Sequence, residues 1–507
     1  MANPLYDTLI GAHAGNDAAF LYLKDGSVWS YNAFVRKVAQ FAHAITAEGL
    51  VAGDRLAAQI EKSAEALALY GACVQTGVVF LPLNTGYTVD ELSYFIENSG
   101  TKLVLCDASK EADLTPIAHQ YSARIATLNS DGSGTLSDAS SALPDQFDTV
   151  SRTEDDLAAF LYTSGTTGRS KGAMLTQNNL LSNALTLVDY WQFTSKDVLL
   201  HALPIFHTHG LFVATNVILA TGGSMIFLPR FDLDEMIDHL PSATTLMGVP
   251  TFYTRLLSDD RFTHDLTAHM RLFVSGSAPL LAETHTAFEA RTGHRILERY
   301  GMTETNMNTS NPYDGERRAG TVGFPLPGVE LKITDPATGE TLPQGKIGQI
   351  EVRGPNVFKG YWQMPDKTAA ELRADGFFIT GDLGQIDTDG YVQIVGRDKD
   401  LIISGGYNIY PKEIELVLDD QPGVLESAVI GVPHPDFGET VLGLIVPEAG
   451  STPDLSAIAD QAAKTLARFK HPRKLIVIDS LPRNTMGKVQ KNILRQTYAD
   501  MFQSEPS

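Results

Sequence analysis

Leu161-Tyr-Thr-Ser-Gly-Thr-Thr-Gly-Arg-Ser-Lys-Gly172 packs glycines, hydroxyls and two cations into one turn, directly after the apolar run Leu157-Ala-Ala-Phe-Leu161. Glycine lets a backbone approach a ligand closely and adopt positive φ. Successive N–H groups in such a turn form a nest for anions, and hydroxyls with a lysine complete a phosphate cradle. The spacing is not that of the Walker loop, Gly-x-x-x-x-Gly-Lys-Ser/Thr. Counting from Gly165, Ser170 stands where the second glycine belongs, and Gly172 follows Lys171 where a hydroxyl residue is required.

Outward from this turn, amphipathic stretches alternate with short apolar runs. Ser30 to Ala47 has helical spacing, with Phe34, Val38, Phe41 and Ile45 on one face. Lys102-Leu-Val-Leu-Cys106, Ser224-Met-Ile-Phe-Leu228 and Arg271-Leu-Phe-Val-Ser275 read as strands. The alternation predicts a mixed α/β fold with layered, mainly parallel sheets. Ser130 to Asp148 reads as a loop. From Val322 to Gly396, short strands separated by glycines predict a small β subdomain, and the charged string Arg397-Asp-Lys-Asp400 follows it. The predicted organisation is an N-terminal domain over 1–396, a connection at 397–400 and a C-terminal α+β domain over 401–507.

A chain of 507 residues exceeds one ordinary domain. The net charge of −21 argues against non-specific binding to nucleic acid or to an anionic membrane surface, so a phosphorylated substrate must be met by local cations. Cys73 and Cys106 cannot form a disulfide framework, and no Cys/His group has zinc spacing, which points to a reducing cytoplasm. No signal peptide and no membrane span is expected.

Thr163-Ser-Gly-Thr-Thr-Gly-Arg-Ser-Lys-Gly172 resembles the phosphate-loop signature of the adenylate-forming superfamily of acyl-CoA synthetases, peptide-synthetase adenylation domains and luciferases. Tyr300-Gly-Met-Thr-Glu304, Gly381-Asp382, Gly396-Arg-Asp-Lys-Asp400, Ser404-Gly-Gly406 and Pro482-Arg-Asn-Thr-Met-Gly-Lys488 resemble further motifs of that family in the same order. The resemblance covers nearly the whole chain and implies a large N-terminal domain and a small mobile C-terminal one, hinged at Lys399.

It also implies roles. Thr163, Ser164, Gly165, Thr166, Thr167, Gly168 and Lys171 would hold ATP phosphates, Tyr300 would lie on adenine, and Asp382 and Arg397 would hold ribose. Glu304 would hold Mg²⁺, which prefers one or two carboxylates plus phosphate oxygens, and Thr303 would bond the α-phosphate. Lys488 would bridge carboxylate and α-phosphate as charge develops; its exposed tract would also suit a lysine acyltransferase, since acylation removes the charge. His207 would gate the acyl pocket, and Gly405 with Gly406 would line a tunnel for coenzyme A.

Read alone, each residue has a plainer explanation. Glu304 is then a cap, Asp382 and the glycine pair are turns, Arg397 and Lys488 are solvated charges, and His207 is structural.

For the acid, Arg255 ends Val249-Pro-Thr-Phe-Tyr-Thr-Arg255, the segment that lines the acyl pocket in the family. An unpaired guanidinium is costly to bury, and a second carboxylate on the substrate would pair with it. Arg255 and Ser277 are therefore the expected ligands of that carboxylate. Together with Leu203–Gly210 and Gly301–Asn308, which resemble malonyl-CoA synthetases, this points to malonate or methylmalonate. A monocarboxylic acid, with Arg255 snorkelling to solvent, and a non-catalytic ATP-binding module remain open from the residues.

Overall fold

The computed structural model describes residues 2–163, 170–404, 407–434, 437–466, 468–484 and 487–502. They fall into two compact units, Met1–Leu331 with Val352–Phe378 and Lys332–Glu351 with Ile379–Ser507.

The first unit is built on two sheets. One runs Arg124–Thr127, Leu103–Cys106, Arg55–Gln59, Val79–Pro82, Leu157–Thr163, Lys171–Thr176. It is parallel except for its last pair, an antiparallel hairpin with Thr163 opposite Lys171. The other has nine strands. Its parallel centre carries Leu297–Met302, Leu272–Ser275, Thr245–Gly248, Val198–His201, Ser224–Phe227 and Ala19–Leu23, with antiparallel strands at both edges. Strands such as Leu103-Val-Leu-Cys106 and Leu272-Phe-Val-Ser275 are buried along their whole length, as parallel strands covered on both faces are.

The Tyr31–Ala47 helix starts where the pattern places it. Ser30 Oγ accepts from the Ala33 N–H, and Phe34, Val38, Phe41 and Ile45 are all buried. Each such side chain contributes up to about 1.5–3 kcal/mol relative to exposure.

Two segments differ from the sequence reading. Ser130–Asp148 contains the short helix Thr135–Ser140. Thr127 and Thr135 exchange N–H to hydroxyl bonds of 2.8 and 2.9 Å, and Leu136 is buried, so tertiary contacts order a segment rich in turn formers. The β-rich stretch 322–396 also holds a helix, Pro365–Glu371, started by a proline in its first turn.

The second unit contains most of a four-stranded sheet, ordered Glu330–Thr334, Gly348–Arg353, Phe378–Ile386, Val392–Arg397. A second sheet pairs Val424–His434 with Gly438–Pro447, flanked by Ile402–Ser404, Tyr407–Ile409 and the parallel strand Lys474–Val477. Alternation along the long hairpin divides its apolar residues between two cores. Val429, Val441 and Ile445 pack with Ile414 and Leu418, whereas Ile430, Val432, Leu442 and Leu444 pack with Leu481 and Leu494.

Among the described residues no helix is long and apolar enough to cross a membrane. Cys73 and Cys106 are free, buried thiols.

Candidate active site

The Leu157–Thr163 and Lys171–Thr176 hairpin aims both of its open-end residues at one carboxylate cluster. Thr163 Oγ1 donates to Glu304 Oε1 at 3.3 Å, and Tyr361 Oη donates to the same oxygen at 3.1 Å. Lys171 Nζ lies 3.2 Å from Tyr361 Oη, 4.2 Å from that ring's centroid and 3.4 Å from Glu371 Oε2. Thr163, Lys171 and Glu304 thus meet around Tyr361. Ser164, Gly165, Thr166, Thr167 and Gly168 lie outside the described residues.

Tyr361 and Glu371 are additions that no motif pointed to. Burial, and then the charges of Glu304 and Glu371, push the Tyr361 phenol far above its ordinary range, so it stays a donor. Burial alone would raise Glu371, but hydrogen bonds and charges from Lys367, Tyr361 and Lys171 hold it below the usual value.

Glu304 is only 5 % exposed and sits in the turn joining Leu297–Met302 to Asn306–Ser310. That turn needs Gly301, because a Cβ there would lie 1.9 Å from the Asn306 carbonyl oxygen. The Phe358 N–H donates to the Glu304 carbonyl at 2.8 Å and fixes the turn from below. Tyr300 and Thr303, on either side of Gly301, are half-buried. Among the described residues no group of three or more His, Cys, Asp or Glu is placed to cage a metal ion. A single buried carboxylate fits Mg²⁺ delivered with nucleotide phosphates, not an ion held by protein alone.

Beside this cluster the parallel strands end together, the place where open α/β sheets bind ligands. Gly248 is opposite Ser275, and Ser275 is opposite Glu298. Just past Ser275, Ser277 is held at φ +71°, an uncommon conformation for a residue with a Cβ and one that clusters at binding sites. Its hydroxyl is 3.2 Å from His209 Nδ1. His209 starts a π-helical turn, His209–Thr215, and is 3 % exposed, with no partner for Nε2 among the described residues. Burial first, then the charges of Arg299, His201 and His207, keep it neutral at ordinary pH. His207 is half-buried against Phe206.

Arg299 is the residue that the sequence reading missed. It is 4 % exposed, and among the described residues neither its Nε nor its Nη2 has a hydrogen-bond partner. Burial lowers its guanidinium to about 9, so it remains a cation at neutral pH. Gly276 makes room for it, since a Cβ at 276 would fall 2.3 Å from Arg299 Cζ. Its neighbour Glu298 does not neutralise it, because successive strand residues face opposite ways and Glu298 lies near His285, at 3.6 Å. The available signal was a charged pair placed inside the strand run Ile296-Leu297-Glu298-Arg299.

The expectation of a buried Arg255 is not met. Arg255 lies on the Pro250–Leu257 helix with its side chain exposed and its guanidinium 5.5 Å from the Phe231 ring, which packs on Phe252.

The remaining candidates belong to the second unit. Arg397 Nε lies 2.6 Å from Asp382 Oδ1, and the two residues are opposite each other in register. Asp382 is buried, with its N–H on Thr380 Oγ1 and its carbonyl accepting from Gln349. Lys399 lies in the single turn Asp398–Asp400, where burial lowers its amine, and Asp400 is paired with Arg495 at 2.8 Å. Lys488 is exposed, and its N–H donates to Asn484 Oδ1 at 2.9 Å. Gly405 and Gly406 lie outside the described residues.

The sequence profile of the AMP-binding enzyme family matches residues 11–362, and that of the AMP-binding enzyme C-terminal domain matches 413–488. The structure is similar to that of ATP-bound MatB from Rhodopseudomonas palustris, with a TM-score of 0.97 and 58% identity over 99% of this chain and 100% of that one. The sequence is 37% identical to a malonate–CoA ligase of Arabidopsis thaliana over 485 residues, 89% of this chain and 79% of that protein. It is 34% identical to a feruloyl-CoA synthase of an Amycolatopsis species, over 93% of this chain and 94% of that one. The Leu157–Thr163 and Lys171–Thr176 hairpin meeting the buried Glu304, two family profiles in order and full-length similarity agree: the chain belongs to the AMP-binding enzyme family.

Proposed function

We propose that this chain is an AMP-forming acid–thiol ligase that activates malonate with ATP and passes the malonyl group to coenzyme A. The observation that carries the substrate is Arg299, a buried cation with unsatisfied donors beside Ser277 and His209. An uncompensated buried guanidinium is costly, and a substrate carboxylate offsets that cost through charge-assisted hydrogen bonds. A monocarboxylic acid leaves it unpaired. Arg255 stands as a second cation on the Pro250–Leu257 helix, able to steer or clasp the same carboxylate.

In the first half-reaction a malonate oxygen attacks the α-phosphorus of ATP and pyrophosphate leaves. Most of the catalysis is positioning and charge neutralisation. Thr163, Lys171 and the loop between them hold the phosphates; Tyr300 supports the adenine; Asp382 and Arg397 hold the ribose; Thr303 bonds the α-phosphate. Glu304 would hold the Mg²⁺ that arrives with the nucleotide, whose charge neutralises the phosphates. Lys488 supplies a cation as charge develops, and a compact ammonium on a flexible stem suits that role. In the second half-reaction the thiol sulfur attacks the acyl carbon and AMP leaves. His207 gates the acyl pocket, Gly405 and Gly406 flank the thiol arm, and the chain pivots at Lys399 between an N-terminal domain ending at 396 and a C-terminal domain from 401.

The test is a panel of carboxylic acids assayed with ATP, Mg²⁺ and coenzyme A. Malonate-dependent release of AMP and pyrophosphate, with thioester formed, is expected. ADP release would indicate a phosphotransferase, and preference for a monocarboxylic acid would leave the ligase in place with a different substrate.

A further inference from the structure

Glu371 has no part in the chemistry above, yet the fold holds it against the phosphate-loop lysine. The segment before its helix is paired by backbone to the strand that Lys171 begins. Lys359 N–H donates to Met174 O at 2.9 Å, Met174 N–H to Gly360 O at 3.0 Å and Trp362 N–H to Gly172 O at 2.8 Å. Tyr361 N–H donates to Thr368 Oγ1 at 2.9 Å, which ties the Pro365–Glu371 helix to this edge. Glu371 therefore reaches Lys171 from a rigid base, and both side chains are largely shielded from solvent (21 % and 16 % exposed).

Lys171 Nζ meets Glu371 Oε2 at 3.4 Å, while the other oxygen of that carboxylate holds Lys367 Nζ at 2.5 Å. With Glu304 nearby, two ammonium groups face two carboxylates, and the group is neutral before any nucleotide arrives. A polyphosphate that takes Lys171 leaves Glu371 still paired with Lys367, so no carboxylate is stranded by the exchange. The flexible lysine stem can make that exchange without moving backbone.

We propose that Glu371 is an internal counter-ion that occupies Lys171 in the nucleotide-free protein and is displaced by the phosphates, so that it lowers affinity for ATP. The proposal rests on the reading of Lys171 as a phosphate ligand. It gives Glu371 an effect of opposite sign to that of a supporting residue, because removing its charge should improve binding.

The experiment is calorimetric titration of the full-length protein with Mg-ATP. Glu371→Gln should bind roughly two- to fivefold tighter than wild type, the range expected for a partly shielded ion pair. Lys367→Ala, which leaves Glu371 to Lys171 alone, should bind more weakly. Lys171→Ala should also bind more weakly, and adding Glu371→Gln to it should change nothing further. Unchanged or weaker binding by Glu371→Gln, or an equal gain in the Lys171→Ala background, overturns the proposal. Should Lys171→Ala bind ATP like the wild type, the phosphate-ligand reading falls first and this one with it. If Lys171→Ala weakens ATP while Glu371→Gln does not tighten it, only the counter-ion falls.

Discussion

Arg397 and Asp382 face each other across the Phe378–Ile386 and Val392–Arg397 hairpin, with Nε 2.6 Å from Oδ1. The pair holds the buried carboxylate in one orientation, as the proposed ribose contact requires. Asp382→Asn should therefore raise the Michaelis constant for ATP by roughly 10- to 100-fold, the worth of a hydrogen bond to a charged acceptor. The Michaelis constant for malonate should move little. Steady-state kinetics with each substrate varied in turn decide it, and an equal rise for both substrates would mean that the pair merely supports the sheet.

Lys488 is exposed, so its removal should not disturb the core of its unit. Lys488→Ala should depress adenylate formation by on the order of 100-fold or more, as expected for a group that acts on developing charge. Thioester formation from supplied malonyl-adenylate should be spared. Single-turnover assays of the two half-reactions separate these outcomes, and equal loss in both would assign Lys488 to nucleotide binding or folding. Enzymatic acylation of Lys488 should reproduce the adenylation defect, since it too removes the charge.

The legible parts of this chain were those fixed by short-range pattern. The helical spacing from Phe34 to Ile45 and runs such as Leu272-Phe-Val-Ser275 appear where they were read, because each is decided by local periodicity and burial. Thr163, Lys171 and Glu304 stand in motifs that the sequence displays, and the fold places them around Tyr361. Arg299 was not legible, since its meaning depends on Gly276 at the end of the neighbouring strand and on Nε and Nη2 having no hydrogen-bond partner among the described residues, which only packing reveals. Tyr361 and Glu371 were hidden for the same reason: they come some 190–200 residues after Lys171 and meet it only through backbone pairing. The Thr135–Ser140 helix escaped because a mutual Thr127–Thr135 contact overrides a turn-like composition.

Lys399 lies in the one-turn segment Asp398–Asp400, and the residue that follows it is anchored by the Asp400–Arg495 pair. This anchor would confine the proposed pivot to the residues just before Asp400. Lys399→Pro, which fixes φ near −65°, should block one half-reaction and spare the other, with adenylate accumulating. Quantifying AMP-bound intermediate against malonyl-CoA by mass spectrometry tests this, and wild-type turnover by the variant would move the pivot elsewhere.

The substrate assignment turns on two arginines that the fold treats differently. Arg299 is buried with Nε and Nη2 unpartnered among the described residues, whereas Arg255 is exposed over Phe231. If Arg299 meets the distal carboxylate of malonate, Arg299→Met should lose a buried charge pair of roughly 2–5 kcal/mol, or about 30-fold to several thousand-fold in malonate kcat/KM. Its effect on ATP should be small. The same change removes an uncompensated buried charge, so the ligand-free protein should melt at a higher temperature than the wild type, because apolar replacement of buried charge is often stabilising. Gain in stability with loss of malonate use is a combination that a purely structural arginine cannot produce. Discrimination against acetate, propionate and butyrate should relax as well, since no unpaired guanidinium then remains to penalise them. Arg255→Ala should cost less than Arg299→Met, because a charge in contact with solvent contributes less than a desolvated one. A larger loss from Arg255→Ala would place the carboxylate at the Pro250–Leu257 helix instead. Undiminished malonate use by Arg299→Met would leave the ligase assignment standing and remove the buried cation from substrate recognition.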